Sequence, residues 1–457
     1  MEKKVVVIGG GPGGYAAAIK AAQAGAQVTL AECGEIGGTC LNVGCIPTKA
    51  LLHIGEFYHR IKSGSIPGIK AKATIDWPGS QRHKETIVGK LTGGVNALLR
   101  HGGVRVLREK AFLLTAQRVK IGAEEIEADA VILATGSVST KLNFPGADLP
   151  GVIDSDAALS LKKIPQSIVI VGGGVIGIEF ATLFNWLGAQ VTILEMLPEI
   201  LPMYDAEISA FMREKLESDG ICIYAGAELT GVSKESAGLT ARFNQGGAQC
   251  QVQADYVLVA VGRRPNTDGL GLEELCVRLV KGAVDVDKYF RTSSSGLYAV
   301  GDCNGLNMLA HAAMAQGIAA AQHITGAPVS YNPKIIPACV YSSPEIAAVG
   351  MTEKQVNDAG IDYSTGLFSL DNNGKSLIDD AGGGFVKIIA DKRLGEVLGV
   401  HIIGSRATEM IGEAALCMSM EGTVEDIANT IHAHPTVSEA VCEAAMSVFG
   451  KPLHGIL

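Results

Sequence analysis

Four scarcities narrow the field before any motif is read. Aromatic residues make up only 5% of the 457 positions, with two tryptophans, so the interior must close with small side chains and near backbone approach. Ten cysteines fall far below the density of a disulfide scaffold, roughly 8–10% of a short chain. They read instead as thiols of a reducing compartment, in which a closely spaced pair is a catalytic suspect. Basic excess is missing: 38 Lys and Arg against 47 Asp and Glu give a net charge of −9, which argues against a general nucleic-acid binder. An unbroken apolar run is missing too. Val5 to Ala18, after Met1-Glu2-Lys3-Lys4, imitates an export leader, and Ile168 to Leu187 imitates a membrane span with Glu179 its only charge. Each holds a glycine cluster where a helix would need continuity, so a soluble, cytoplasmic protein is expected.

What is abundant is glycine, 57 residues, well above the usual share of about 7%. With 47% hydrophobic and 19% charged residues the chain is globular, and its length suggests two to four domains. A repeat appears at an offset of 163 residues: Val5 to Gly14 aligns without a gap on Ile168 to Gly177, Gly25 to Thr29 on Gly188 to Thr192, and Glu32 on Glu195. Each copy is a β-branched run, a glycine turn, a helical stretch and a second apolar strand, which is a βαβ unit. Asp129 to Gly136 and Asp255 to Gly262 echo one another as buried strands ending at a glycine. Breaks are expected at Asn143 to Gly151, near Arg263-Arg264-Pro265-Asn266, and at Tyr331 to Pro337. They divide the chain into units 1–145, 146–265, 266–335 and 336–457. The last unit, with strands at Gly384 to Ala390 and Glu396 to Ile403 and a helix at Ala407 to Met420, reads as α+β.

A lone GxGxxG means little in a chain so rich in glycine. Here it follows a strand twice, at Gly9/Gly11/Gly14 and Gly172/Gly174/Gly177, with Glu32 and Glu195 each 18 positions after the third glycine. Such a turn admits a pyrophosphate to a helix N-terminus, and the glutamate accepts from ribose hydroxyls, so two dinucleotides are expected. Met196, Leu197 and Pro198 follow Glu195 without an Arg or Lys for a 2′-phosphate, which favours NAD over NADP.

The sharpest feature is Gly37 to Lys49, with Cys40 and Cys45 five apart. Across a regular helix the rise alone is roughly 7.5 Å and the side chains point about 140° apart, so the segment must bend for the thiols to meet. The flanking glycines and Pro47 are expected to supply that bend, and a helix start and Lys49 to lower a thiol pKa. Two buried cysteines, or half a metal site, are the alternatives; no second Cys/His pair at ligand spacing supports a metal. Cys33, Cys222, Cys250, Cys276, Cys303, Cys339, Cys417 and Cys442 have no close partner and are expected to be buried thiols.

Over essentially its full length the chain resembles the flavoprotein disulfide reductases, and most closely their dihydrolipoamide-oxidising branch, on the strength of Gly-Gly-Thr-Cys-Leu-Asn-Val-Gly-Cys-Ile-Pro-Thr-Lys beside the first glycine turn. The resemblance implies an α/β fold of two Rossmann-like dinucleotide-binding domains, a central unit completing the flavin site, and a C-terminal α+β dimerisation domain. FAD is then expected at the first turn and NAD at the second, the latter with Gly262. Asp302, in Leu297 to Asp302, would reach the ribityl chain. Met308-Leu309-Ala310-His311 and Thr135-Gly136 would add flavin contacts, and Lys49 would lie near flavin N5, paired with Glu179. Cys40 would exchange with substrate while Cys45 faces the flavin. His434, before Pro435-Thr436, would be the acid/base, oriented by Glu439, whereas His432 is expected to be structural. The stretch Thr436-Val437-Ser438-Glu439 also reads as a helix capping box.

The implied reaction passes electrons from protein-bound dihydrolipoamide through the Cys40–Cys45 disulfide and FAD to NAD⁺, in a homodimer whose partner's base completes each site. The lipoylated partner, of a 2-oxo acid dehydrogenase or glycine cleavage complex, is expected to be a separate protein, since no lipoyl-type segment precedes Lys3. One departure stands out: Ala312 to Gln316 replaces a stretch where many relatives carry a lysine and acidic residues. Alternatives are a glutathione or mercuric reductase-like enzyme, which the residues after Cys45 and the cysteine-free C-terminus oppose, and a non-enzymatic flavin redox sensor, which the Cys40/Cys45/His434/Glu439 set opposes.

Overall fold

Because Val5–Ile8 and Ile168–Val171 are apolar at every position, both must be covered on two faces, as central parallel strands are. The computed structural model describes residues 3–235, 238–380 and 383–455; Met1 and Glu2, where the leader-like stretch begins, lie outside it. Lys4–Ile8 is the middle strand of a five-stranded parallel sheet, flanked by Gln27–Ala31 and Ala130–Leu133, with Arg105–Leu107 and Leu297–Ala299 outermost. Ser167–Val171 holds the same place in a second parallel sheet, between Gln190–Glu195 and Tyr256–Val259, with Cys222–Ala225 and Val152–Ile153 at the edges.

The repeat extends to side-chain detail. The Asp129 carboxylate accepts from the Lys4 amide at 2.7 Å, and that of Asp255 accepts from the Gln166 amide at 2.7 Å. Each sheet carries a three-stranded antiparallel annex, Ala111–Thr115 to Glu124–Glu127 in the first and Ala227–Glu235 to Ala248–Ala254 in the second.

The scarcity of aromatics is explained by how the first unit packs. Helix Pro12–Gln23 lies against helix Ala310–Thr325, with Ala17, Ala18 and Ala21 and Ala319 to Ala321 buried in the same core. A Cβ on Gly317 would stand 2.2 Å from the Gly13 carbonyl, so the two backbones touch directly. The membrane-like window resolves into strand Ser167–Val171, the glycine turn and helix Val175–Trp186, all part of a globular core. Among the described residues no helix is long and apolar enough to cross a membrane.

The last unit is an antiparallel sheet in the order Ala338–Val340, Glu345–Gly350, Val397–Gly404, Phe385–Asp391, Tyr363–Ser369. Helices Ala407–Ser419 and Glu439–Val448 cover it, the first close to the range the hydrophobic pattern suggests. The architecture is α/β: two dinucleotide-binding units and a C-terminal α+β unit.

Candidate active site

Both glycine turns open onto one cleft of about 2890 Å³, several times the roughly 300–1,000 Å³ of an ordinary ligand pocket. The three glycines of each turn answer to different demands. At the first, Gly9 and Gly172 have φ of +106° and +113°, and a Cβ would stand 2.2 Å and 2.5 Å from the carbonyls of Ala134 and Ala260. At the third, Gly14 and Gly177, it would stand 1.8 Å and 2.0 Å from the carbonyl of the first glycine. The protein itself requires those four. At the middle position a Cβ on Gly174 would meet nothing within 4 Å, and one on Gly11 only the Gly38 Cα at 3.8 Å. Those two face the open cleft at the N-caps of helices Pro12–Gln23 and Val175–Trp186, where no side chain caps the free amides. Unpaired N–H groups, positive helix ends and open space fit a pyrophosphate at each turn.

Glu32 and Glu195 stand at matching places. Glu32 accepts from the amides of Gly10 and Gly34, both at 2.6 Å, and Glu195 from Gly173 at 2.6 Å and Leu197 at 2.7 Å. Each carboxylate thereby locks the turn and keeps lone pairs for ribose hydroxyls. Gly262, with φ of +108°, lines the cleft across from Gly174.

At the first turn's end of the cleft, the Asp302 carboxylate accepts from Ser137 Oγ at 2.6 Å. Arg263 in turn donates to Ser137 Oγ and the Ser137 carbonyl, both at 2.8 Å, and to Thr39 Oγ1 at 3.3 Å. Arg263 ties the cysteine segment to the Asp302 turn; its sequence neighbours suggested only a boundary. Thr135 Oγ1 donates to the Asn266 carbonyl at 2.6 Å, beside Gly136 at φ +70°. Met308 and Leu309 lead into helix Ala310–Thr325, whose N-terminus lines the cleft, and His311 Nε2–H donates to the Pro337 carbonyl at 2.7 Å.

The departure from relatives at Ala312 to Gln316 leaves this helix intact. Ala312 is buried, and the fully buried Gln316 amide oxygen accepts from the Gly301 amide and from Asn304 Nδ2, both at 2.8 Å. A neutral amide therefore braces the Asp302 turn.

The cysteine segment bends at one of its flanking glycines, as expected, but not at Pro47. Cys40 lies in the short helix Gly38–Asn42, the chain breaks at Val43-Gly44, and Cys45 is the first residue of helix Cys45–Lys62. Pro47 sits inside that helix's first turn, where its missing N–H costs nothing, so it does not make the bend. Gly44 does: a Cβ there would stand 2.9 Å from the Thr39 carbonyl. The bend leaves the two thiols as close neighbours on either side of the break. The Cys40 S–H bond, helped by Lys49 and opposed by burial, brings Cys45 down to about 7, while the same bond and burial push Cys40 well up.

Of the two thiols, Cys45 is therefore the one that ionises first. We expect Cys45 alkylation by iodoacetamide to rise with pH through a midpoint of about 7. Below that midpoint Cys45 is protonated and its rate falls about tenfold per pH unit. In Cys40→Ala the midpoint should move up toward the ordinary thiol value of about 8.5; an unmoved midpoint would remove the Cys40 hydrogen bond as its cause.

Lys49, one turn along, donates to both Glu179 oxygens at 2.7 Å. Glu179, on helix Val175–Trp186 and only 4% exposed, also accepts from the Tyr341 amide at 3.1 Å, and the Lys49 ammonium lies 4.6 Å from the Tyr341 ring centre. The pair joins the cysteine helix to the second dinucleotide turn. Tyr341, Tyr204 and Cys339 line the same stretch of cleft, and burial pushes Cys339 up to about 11. Cys339 and Tyr341 sit at the end of an apolar-looking strand and Tyr204 in the loop after Glu195, and neither stretch carries a motif.

The other cysteines divide. Cys303 is buried; Cys250, Cys339, Cys417 and Cys442 are half-buried; Cys33, Cys222 and Cys276 are exposed. The exposed three correct the expectation of burial: they stand in a loop, on a sheet-edge strand and in a turn, where no second layer covers them.

His434 Nδ1 lies 2.9 Å from Glu439 Oε1, and Glu439 Oε2 accepts from the Thr436 amide at 2.8 Å. Only half of a capping box forms, because Thr436 Oγ1 turns away to the Ala433 carbonyl. Burial would raise the Glu439 carboxyl, but the Thr436 amide and His434 outweigh it and hold it below its ordinary value. With Nδ1–H donating to Glu439, His434 Nε2 carries the free lone pair. The His434 side chain is 79% exposed, and among the described residues none beyond Gly412 lines the cleft, so one chain does not bring His434 to its own Cys40. His432 is held between Glu413 and the Thr430 carbonyl, both at 2.9 Å.

The pyridine nucleotide-disulphide oxidoreductase family profile matches residues 3–317, and that of its dimerisation domain residues 336–445. The chain belongs to the pyridine nucleotide-disulphide oxidoreductases. Among curated relatives, the dihydrolipoyl dehydrogenase of Bacillus subtilis is 43% identical, with 98% of this chain and 99% of the relative covered. That of Geobacillus stearothermophilus is 41% identical, covering 99% and 98%. The solved structure of LpdA from Mycobacterium tuberculosis superposes with a TM-score of 0.90 at 30% identity, over 97% of this chain and 99% of that one. FAD and NAD are the cofactors of this family, and both turns fit a dinucleotide. The dimerisation domain supports a homodimer.

Around Glu195 the cleft is lined by Met196, Leu197, Pro202 and Met203, with no cation. We therefore expect kcat/KM for NAD to exceed that for NADP by more than about tenfold, or 1.4 kcal/mol. Equal values would refute the role of Glu195.

Proposed function

We propose that this protein is a dihydrolipoyl dehydrogenase. It oxidises the dithiol of a lipoylated partner protein to a disulfide and reduces NAD⁺, releasing one proton per NADH. The observation that carries the reading is the Cys40/Cys45 pair, with a lowered Cys45 and a Lys49–Glu179 bridge, set between two dinucleotide turns.

In the oxidised enzyme the substrate thiolate attacks Cys40 Sγ and the Cys40–Cys45 bond breaks, leaving Cys45 as thiolate. The second substrate thiol then attacks the mixed disulfide, which releases lipoamide, and its proton passes to the leaving Cys40 Sγ, so that Cys40 leaves as thiol. His434 Nε2 takes the substrate's proton, its ring aligned by Glu439. Bound FAD supplies the two-electron relay between the dithiol and the nicotinamide. Thr135, Gly136, Asp302, Met308, Leu309, Ala310 and His311 would border it, with Lys49 at the cysteine end and Glu179 toward the NAD side. Because His434 is exposed and remote from its own cleft, the base for each disulfide comes from the partner subunit.

The division into 1–145, 146–265, 266–335 and 336–457 is part of this reading. It is supported by strand Leu297–Ala299, through which the third unit completes the first sheet beside Asp302. A 2-oxo acid dehydrogenase or glycine cleavage complex in the cytoplasm would supply the lipoyl group.

The test is a substrate panel. Purified yellow protein should oxidise NADH with lipoamide and reduce NAD⁺ with dihydrolipoamide, and be inert to glutathione disulfide and Hg²⁺. Preferred turnover of glutathione disulfide with NADPH would replace this reading by a glutathione reductase-like one.

A further inference from the structure

One buried charge cluster lies outside the site and is used by none of the chemistry above. Lys387, in strand Phe385–Asp391 of the C-terminal sheet, is 2% exposed. Its ammonium donates to Asp205 at 3.0 Å and Glu353 at 2.5 Å, and the Glu207 carboxylate stands 3.3 Å away as a third counter-charge. Asp205 and Glu207 belong to the second dinucleotide unit, Lys387 and Glu353 to the C-terminal one. Asp205 is itself 3% exposed, caps helix Ala206–Ser218 and also accepts from the Glu353 amide at 3.0 Å. Tyr363 adds a bond to Glu353 at 2.7 Å.

An ion pair this buried is poor evidence of stability, because taking both charges out of water costs about as much as their attraction returns. Its placement is more informative. Asp205 ends the segment 196–205, which runs directly on from Glu195. Within it Leu197 donates to Glu195 at 2.7 Å and the Leu201 amide to the Gly173 carbonyl at 2.9 Å. Leu201 takes a φ of +49°, sparsely populated for a branched side chain, and its carbonyl accepts from Ser209 at 3.0 Å. Met196, Pro202, Met203 and Tyr204 of this segment line the cleft. The segment lies beside the second turn, bonded to it at Leu201 and to Glu195 at Leu197, and is anchored at its far end on the other unit's sheet.

We propose that Lys387 is a positioning residue for NAD binding: through Asp205 it holds the 196–205 segment against the second glycine turn, so that the C-terminal unit shapes the NAD site. Burial alone would raise the Asp205 carboxyl, but the Glu353 amide and the Lys387 ammonium outweigh it, so Asp205 stays charged and the anchor stays closed at neutral pH.

This rests on the reading that the second turn takes NAD, and calorimetry separates the two. NAD⁺ is titrated into FAD-loaded dimer without any dithiol. In Lys387→Met, which keeps the aliphatic stem, Kd should rise threefold or more. Reduction by dihydrolipoamide alone, which does not involve NAD, should stay within twofold of wild type. A merely structural Lys387 would lower the melting temperature and leave Kd within threefold, which overturns the proposal. If Lys387→Met does not fold, Asp205→Asn decides on the same threshold, since its remaining oxygen can still cap the helix while the charge facing Lys387 and the bond from the Glu353 amide are lost. Wild-type protein that binds no NAD⁺ would overturn the reading of the second turn itself.

Discussion

Serine at Cys40 or at Cys45 is expected to lower dihydrolipoamide turnover by about 10³-fold or more while FAD stays bound. A hydroxyl at either position cannot form the disulfide that accepts the substrate's electrons, and its far higher pKa leaves no nucleophile at neutral pH. Steady-state rates with dihydrolipoamide and NAD⁺, read beside the flavin absorbance per subunit, check both halves. The variants should also differ. Long-wavelength absorbance between the Cys45 thiolate and the flavin should appear in two-electron-reduced wild type and vanish in Cys45→Ser. Its persistence there would exchange the roles of the two thiols. If the pair were only structural, both variants would keep their rate and melt earlier.

A heterodimer of Cys40→Ser and His434→Gln subunits is expected to recover about half of wild-type activity, although each homodimer is inactive. The expectation follows from where His434 stands: bonded to Glu439, open to solvent, and off the cleft that holds Cys40 and Cys45. With the base supplied in trans, one of the two sites joins an intact Cys40 to an intact His434, and the other carries both lesions. With the base in cis every site keeps one lesion and the heterodimer is dead. Loss of the base alone should cost about 10²–10⁴-fold. His434→Gln, at an exposed position, should not disturb folding, so the comparison is clean.

The parts of this molecule legible in its sequence are those fixed by local constraints. Two apolar strands buried on both faces leave continuous β-branched runs, and a turn closed by backbone contact at Gly9 and Gly14, or Gly172 and Gly177, admits only glycine. The repeat and both turns could therefore be read directly. The cysteine segment was legible as chemistry and, in its glycine bend, as geometry; only the part given to Pro47 was misplaced. Gly44 makes the bend and Pro47 does not, and only the Gly44–Thr39 approach distinguishes them.

What was hidden is polar pairing between residues far apart in the chain. Arg263 reaches back to Ser137 and Thr39, and Lys387 to Asp205. Nothing near either residue in the sequence announces its partner. Gln316 is hidden for another reason: a glutamine within an alanine-rich helix looks like surface until the Gly301 turn is seen folded onto it.

The most direct test is an anaerobic titration with dihydrolipoamide in the absence of NAD⁺. One equivalent per subunit should reduce the protein, produce the long-wavelength absorbance, and make Cys40 and Cys45, and no other pair, newly open to alkylation. Added NAD⁺ should then restore the oxidised spectrum and yield one NADH per subunit. A spectrum and a Cys40–Cys45 disulfide unmoved by dihydrolipoamide, in protein that NADH does reduce, would contradict the account.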